Sequence, residues 1–308
     1  MMSRFSIPLP QALPVGGHWI HHREGLYWQL NKHLLELSPL PGLSPETPEQ
    51  LLELIQNQGP LQHPNSLSKA LPSTLRFALE WAWINHQSSL ADFFEAPRQT
   101  QPVPIHALLS GDAESIQSQF KAKWKQGFRT FKLKVGRLDP QTEIELLKNL
   151  STQHPAHFRL DANQGWTYEE ALFFCQKTLD LNIDYIEEPT PNSTDTLRLY
   201  RKTGRRFALD ESPFQPEILN SGAIKALIVR AALQGGLQEL KNKLPHLKNN
   251  GIDPIISSGY ETQVETEFLL QIAQVLAPTT CSGLGAWIHN PDHPPFIGET
   301  HGHLDRLS

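Results

Sequence analysis

The sequence predicts an α/β protein in which a (β/α) barrel follows a smaller α+β unit. Three observations carry this expectation. From about residue 102 onward, strand-like and helix-like segments alternate until eight strands have been counted. Three successive strand-like segments end in acids, at Asp161, Glu187 and Asp210, with steps of 26 and 23 residues between them. Each step accommodates one strand, one helix and two short loops. The first hundred residues lack that alternation, with strands first and helices after.

In the first unit, residues 19–22 and 26–30 read as two antiparallel strands around a turn at His22-Arg23-Glu24-Gly25. A loop rich in proline and glycine covers residues 38–45. A helix opens at Thr47-Pro48-Glu49-Gln50, where Thr47 is the N-cap, Pro48 holds the first helical position and Gln50 closes a capping box. Leu51, Leu52, Leu54 and Ile55 give it an apolar face. A second helix begins near Ser73 and carries Leu75, Ala78, Leu79, Trp81, Ala82 and Trp83, which marks it as buried on most sides. The first unit is thus expected over residues 1–100 and the barrel over 101–287, with a tail over about 288–308 folding back on the first unit.

The barrel elements follow in order. Residues 105–109 form the first strand, and a helix over about 112–126 stops at Gly127. The second strand holds Lys132 and Lys134, and the third ends at Asp161. Thr167-Tyr168-Glu169-Glu170 is another capping box and opens a helix to about residue 179. Helices fit 193–203, ending at Gly204, and 214–221. Residues 224–229, 254–257 and 279–284 supply strands six to eight, with helices over 236–249 and 261–275 between them. Gly235-Gly236 is followed by no Lys-Ser or Lys-Thr, which argues against a nucleotide loop and for a helix start. Cys175 lies in an apolar run and reads as a buried thiol. His289, His293, His301 and His303 fall in the Pro-rich tail with no strand or helix to fix them, so the tail reads as flexible and polar rather than metal-binding.

Composition narrows the function classes. At 308 residues, 39% hydrophobic and 19% charged, the chain can bury a barrel core and is not disordered. A net charge of −5 argues against nucleic-acid and anionic-membrane partners. No apolar run approaches the roughly 20 residues that span a bilayer, and prolines interrupt the start where a signal peptide needs its apolar stretch. The expectation is a soluble, cytoplasmic protein acting on a small molecule; oligomeric state is not legible, and a monomer is compatible with the sequence.

Barrel strands deliver their C-terminal residues to one face, so Asp161, Glu187 and Asp210 are expected to meet there. Carboxylates converge only around a cation, and hard oxygen ligands without Cys or His suit Mg²⁺ or the similar Mn²⁺. Asn163, Glu188 and Glu211 are the neighbours expected to support these ligands. Spacing alone leaves open which of Glu187 and Glu188 faces the metal, because strand neighbours point to opposite sides. Lys132 and Lys134 share one face of their strand, and crowded cations lower one another's pKa, leaving an amine able to take a proton. Metal and lysine together imply proton abstraction next to a carboxylate, through an enediolate. Ser257 and Gly283, at the ends of strands seven and eight, are candidate substrate contacts, and the stretch 19–25 is a candidate cap over the mouth.

On these residues the chain resembles the enolase superfamily and, within it, the o-succinylbenzoate synthase family. The resemblance runs through Arg23-Glu24-Gly25-Leu26-Tyr27, residues 37–47, Phe131-Lys132-Leu133-Lys134-Val135-Gly136, Arg159-Leu160-Asp161-Ala162-Asn163, Ile186-Glu187-Glu188-Pro189, Leu209-Asp210-Glu211-Ser212 and residues 256–261. It implies a modified TIM (β/α)7β barrel with an N-terminal α+β capping domain. It implies that Asp161, Glu187 and Asp210 bind Mg²⁺, that Lys134 is the general base and that Lys132 helps neutralise the carboxylate end of the substrate. It suggests a role for Arg159 near substrate. The implied reaction is the syn dehydration of a cyclohexadiene carboxylate to o-succinylbenzoate in menaquinone biosynthesis. The alternative is an N-succinylamino acid racemase or dipeptide epimerase of the same superfamily. One departure stands out: the sixth strand of the family usually ends in lysine, and here it ends in Arg230. Arginine stays protonated and is a poor base, which weakens the racemase reading and leaves Arg230 as a cation facing the intermediate.

Overall fold

In a computed structural model, which describes residues 1–57, 61–286, 288 and 297–306 and only the backbone of 10 and 11, the chain opens with a three-stranded antiparallel sheet. Its strands are β1 (Met2–Val15), β2 (His18–Leu30) and β3 (His33–Leu37), paired in that order. The turns fall at Gly16 and Gly17, with φ of +52° and +80°, and at Asn31, with φ of +54°. The turn expected at 22–25 is instead the middle of β2. Gly25 is there for close packing: a Cβ would lie 2.7 Å from the Leu37 carbonyl oxygen and the Phe5 ring. β1 was not foreseen because its prolines argue against a strand, but β1 is an edge strand, where proline is tolerated.

Helix α1 (Pro48–Gln56) starts at Thr47 with the expected capping box and buries Leu51 and Ile55. Helix α2 (Ser73–Gln87) is buried along most of its length, and a short α3 (Leu90–Phe94) follows. Trp81 of α2 stacks on Phe268 with ring centroids 4.2 Å apart, joining the first unit to the barrel.

The barrel comprises β4 (Val103–Pro104), β5 (Ala107–Leu109), α4 (Ala113–Lys125), β6 (Thr130–Lys134), α5 (Pro140–Gln153) and β7 (His157–Asp161). It continues with α6 (Tyr168–Lys177), β8 (Ile183–Glu187), α7 (Ser193–Thr203), β9 (Phe207–Leu209), α8 (Pro216–Leu219) and β10 (Ile224–Val229). The last three elements are α9 (Gly236–Asn249), β11 (Asp253–Ile256) and α10 (Gln263–Leu276). Strands β5 to β11 form one sheet in sequence order, parallel throughout. The expected eighth strand shrinks to two residues. Ser282 bridges to Ile105 and Gly283 bridges to Ser257, both parallel, and these contacts close the sheet into a barrel.

The two-residue period of each strand sorts its side chains. Phe131, Leu133, Phe158, Leu160, Ile186, Phe207, Leu209, Leu227 and Val229 belong to the large buried core shared with the helices. A separate small cluster, Tyr185, Ala208, Ala226, Ile228 and Ile255, fills the barrel interior. One step beyond Tyr185, Ala208, Ile228 and Ile255 on the same faces come Glu187, Asp210, Arg230 and Ser257. The interior therefore ends in an apolar floor with a polar rim above it.

The tail contains a hairpin, β12 (Ile297–Thr300) and β13 (His303–Arg306), whose second strand pairs with β4. This pairing sets the hairpin against the start of the barrel, and Ile105 donates to the Gly302 carbonyl at 2.9 Å. His301 and His303 are thus held by a β-turn and a strand, contrary to the flexible tail expected; His289 and His293 lie outside the described residues. Cys175 is buried, as expected, and burial pushes its thiol up to about 12. No helix among the described residues is long and apolar enough to cross a membrane.

Candidate active site

Register places the charged residues side by side. Lys134 pairs with Asp161, and Asp161 pairs with Glu187, across β6, β7 and β8. Lys132 is buried, and its ammonium sits between Asp161 Oδ2 at 2.9 Å and Glu187 Oε2 at 2.8 Å and Oε1 at 3.0 Å. Burial alone would lower its pKa, but Glu187 and Asp161 overcome that and hold it above the usual lysine range. Lys132 thus answers the protein's own carboxylates, one of the partners its strand position allowed. Arg230 does the same for Asp210. Nε lies 3.0 Å from Oδ1, Nη2 lies 2.7 Å from Oδ2, and Nη1 donates to the Ser258 carbonyl at 3.1 Å. Asp210 is kept below the ordinary carboxylate range because Arg230 outweighs the effect of burial.

Three carboxylates crowd against the fixed cations Lys132 and Arg230, and Glu187 is the one that resists ionising. Burial, together with Asp161 and Asp210, pushes its carboxyl up to about 8. Glu188 turns the other way. Its Oε1 accepts from the Asp210 and Ser212 amides at 2.8 and 2.9 Å, so it shapes the loop after β9. The choice that spacing left open is thereby made by the pleat: Glu187 faces inward with Asp161. Asn163 (φ +44°) accepts from Lys134 Nζ at 2.9 Å, and Glu211 lines the cavity, its carboxyl raised by burial and by Asp210 and Glu188.

Lys134 is half-buried at the rim, and its pKa is lowered. The main cause is burial rather than the crowding by Lys132 that the sequence suggested. It lines a cleft of about 130 Å³, which also touches Lys132, Asp161, Asp210, Arg230, Ser257 and Gly283. The lid over the cleft is Pro14, Val15, Gly16, Leu40, Leu43 and Tyr260. Trp19, part of the stretch expected to cap the mouth, is 66% exposed and takes no part in the lining. Arg159 lies beneath the cleft and does not line it. It donates to the Cys281 carbonyl at 2.5 Å and to Asp184 at 3.3 Å, and meets His106 Nδ1 at 3.3 Å.

His106 lines the cleft and was missed. Alternation along 105–109 puts it, with Leu108, on the face opposite Ile105, Ala107 and Leu109, so a lone polar residue on the inner face was the available signal.

Among the described residues, no group of three or more His, Cys, Asp or Glu side chains is disposed as a ready-made metal site. The donor chemistry nevertheless fits a hard divalent cation. Asp161, Glu187 and Asp210 offer only carboxylate oxygens, each with lone pairs beyond those used by Lys132 and Arg230.

A closed parallel barrel with a Lys-x-Lys second strand and acids ending its third and fourth strands and just following its fifth points to one class of protein. The chain belongs to the enolase C-terminal domain-like family, whose pattern matches residues 115–303. Within that class it is 28% identical over 298 residues to the o-succinylbenzoate synthase of Citrobacter koseri, covering 91% of this chain and 88% of that one. It is similar in structure, with a TM-score of 0.74 and 25% identity, to the o-succinylbenzoate synthase of Thermosynechococcus elongatus solved with Mg in the active site, over 95% of this chain and 92% of that one. The L-Ala-D/L-Glu epimerase of Bacillus subtilis shares the fold at a TM-score of 0.79 and 18% identity, over 100% of this chain and 95% of that one.

Proposed function

We propose that the chain is a Mg²⁺-dependent lyase that dehydrates 2-succinyl-6-hydroxy-2,4-cyclohexadiene-1-carboxylate to o-succinylbenzoate, a step of menaquinone biosynthesis. The observation that carries this reading is Lys134, an amine of lowered pKa opening into the cleft beside Asp161. The near full-length similarity to o-succinylbenzoate synthases supports the choice of substrate. Asp161, Glu187 and Asp210 are the residues that would hold Mg²⁺. The bound cation supplies Lewis-acid stabilisation of the negative charge that gathers on the substrate carboxylate as the α-proton leaves.

The protein's own residues do the rest. Asn163 holds the Lys134 amine at the rim, and burial lowers its pKa, favouring the neutral form that accepts the α-proton. The electron pair of that C–H bond becomes a ring double bond as the neighbouring C–OH bond breaks. The resulting Lys134 ammonium returns the proton to the departing hydroxyl, which leaves as water from the same face. One base suffices for this same-face elimination. An epimerase needs a second base on the opposite face, and Arg230, held charged by Asp210, cannot serve as one.

The test is a spectrophotometric dehydration assay with the cyclohexadiene substrate. Turnover is expected with Mg²⁺, loss of turnover after exhaustive chelation, and recovery on adding Mg²⁺ back. A chain that is inert with Mg²⁺ present, or indifferent to chelation, contradicts the reading.

A further inference from the structure

His106, Ser257 and Gly283 come from the first, seventh and eighth strand positions, across the barrel from Asp161, Glu187 and Asp210. A Cβ on Gly283 would lie 2.9 Å from Ser257 Oγ and 3.2 Å from His106 Cε1, so the bare α-carbon leaves a small cradle between a hydroxyl and an imidazole edge. His106 Nδ1 lies 3.3 Å from Arg159 Nη1. A guanidinium only donates, so Nδ1 must accept, and the ring proton must sit on Nε2. Burial, then Arg159 and Lys132, keep the ring well below the ordinary imidazole pKa and therefore neutral. Nε2 has no hydrogen-bond partner among the described residues. The cradle thus presents neutral donors, in contrast to the charged rim opposite.

Resting on the proposed function above, we propose that His106 is a specificity-determining residue: its Nε2–H donates to an acceptor oxygen of the substrate's succinyl side chain, and Arg159 is the positioning residue that fixes this tautomer. The carboxylate that loses its α-proton lies at the charged rim, and the side chain reaches across to the neutral cradle. Arg159 then acts on the ligand through His106, which gives a buried cation outside the cleft lining a part in recognition.

Two measurements test this. Nitrogen-15 NMR of wild type at pH 7 is expected to show His106 protonated on Nε2 and bare on Nδ1; a proton on Nδ1 overturns the proposal. Calorimetry then compares o-succinylbenzoate with benzoate, which lacks the side chain. His106→Phe keeps the ring without the donor and is expected to weaken o-succinylbenzoate binding on the order of tenfold while leaving benzoate within about twofold. His106→Gln, whose amide can reach the Nε2 position, is expected to restore most of the loss. Equal losses for both ligands, or none for either, overturn the inference while the proposed function stands. Failure of wild type to bind o-succinylbenzoate at all sinks the proposed function, and the ligand named here with it.

Discussion

Asp210 and Arg230 show how closely the rim's charges depend on one another. The Asp210 side chain is 8% exposed and its carboxylate is met by two guanidinium nitrogens. Replacing Arg230 with methionine leaves a buried charge without its partner, a change that costs about 3–5 kcal/mol in comparable settings. Because the pair keeps a little solvent access, we expect Arg230→Met to lose about 3 kcal/mol in urea unfolding without divalent metal; a loss below about 1 kcal/mol shows that the pair is not what holds Asp210. At this scale the sequence was partly legible. The Lys-x-Lys parity and the strand-end acids gave the inward set. Who answers whom was not legible, because Lys132 could face substrate or protein equally well on pattern alone. Only the register between β6, β7 and β8 puts its ammonium between Asp161 and Glu187.

Helix α9 depends on a carboxylate from another unit. Glu80 of α2 is fully buried, and its Oε2 accepts from the amides of Leu237 and Gln238 at the start of α9. Those amides favour the charged form, but burial prevails and raises the carboxyl from 4.5 to about 7. A raised acid pKa means that the folded state holds its proton where the unfolded chain has already released it. The stabilisation is complete below about pH 4.5 and is lost as pH rises through 7. At about 1.4 kcal/mol per pH unit the whole shift is worth about 3.5 kcal/mol, of which about 2–3 kcal/mol falls between pH 5 and pH 8. Relative to Glu80→Gln, wild type is therefore expected to lose about that much unfolding free energy between pH 5 and pH 8. Parallel pH profiles for the two proteins would remove Glu80 from this role. Elements with local signals were legible: the capping boxes at Thr47 and Thr167, and the αL stop at Gly204 with φ of +69°. Those set by tertiary contact were not. β1 carries prolines, β2 runs through an apparent turn, and the eighth strand is two bridges beside Gly283 and Gly285.

At the scale of the whole molecule, closure of the barrel and attachment of the first unit build the site together. Arg23 of β2 is buried and donates to the carbonyls of Ser38, Pro39 and Tyr260, tying the N-terminal sheet to two stretches of the lid. Gly16 and Gly42 touch backbone to backbone; a Cβ on Gly16 would lie 2.5 Å from the Gly42 carbonyl oxygen. The alternation of strands and helices made the barrel legible from sequence, because each unit repeats a local pattern. The lid was not, because its parts lie far apart in the chain and meet only when the sheet docks. The central claim is that this assembly aims the Lys134 amine at a substrate held by a cation on Asp161, Glu187 and Asp210. Its most direct test is turnover and Mg²⁺ binding measured side by side on wild type and Lys134→Ala. The account predicts a fall in turnover of about 10³- to 10⁴-fold, with Mg²⁺ affinity unchanged within about threefold; turnover retained in the variant would contradict it.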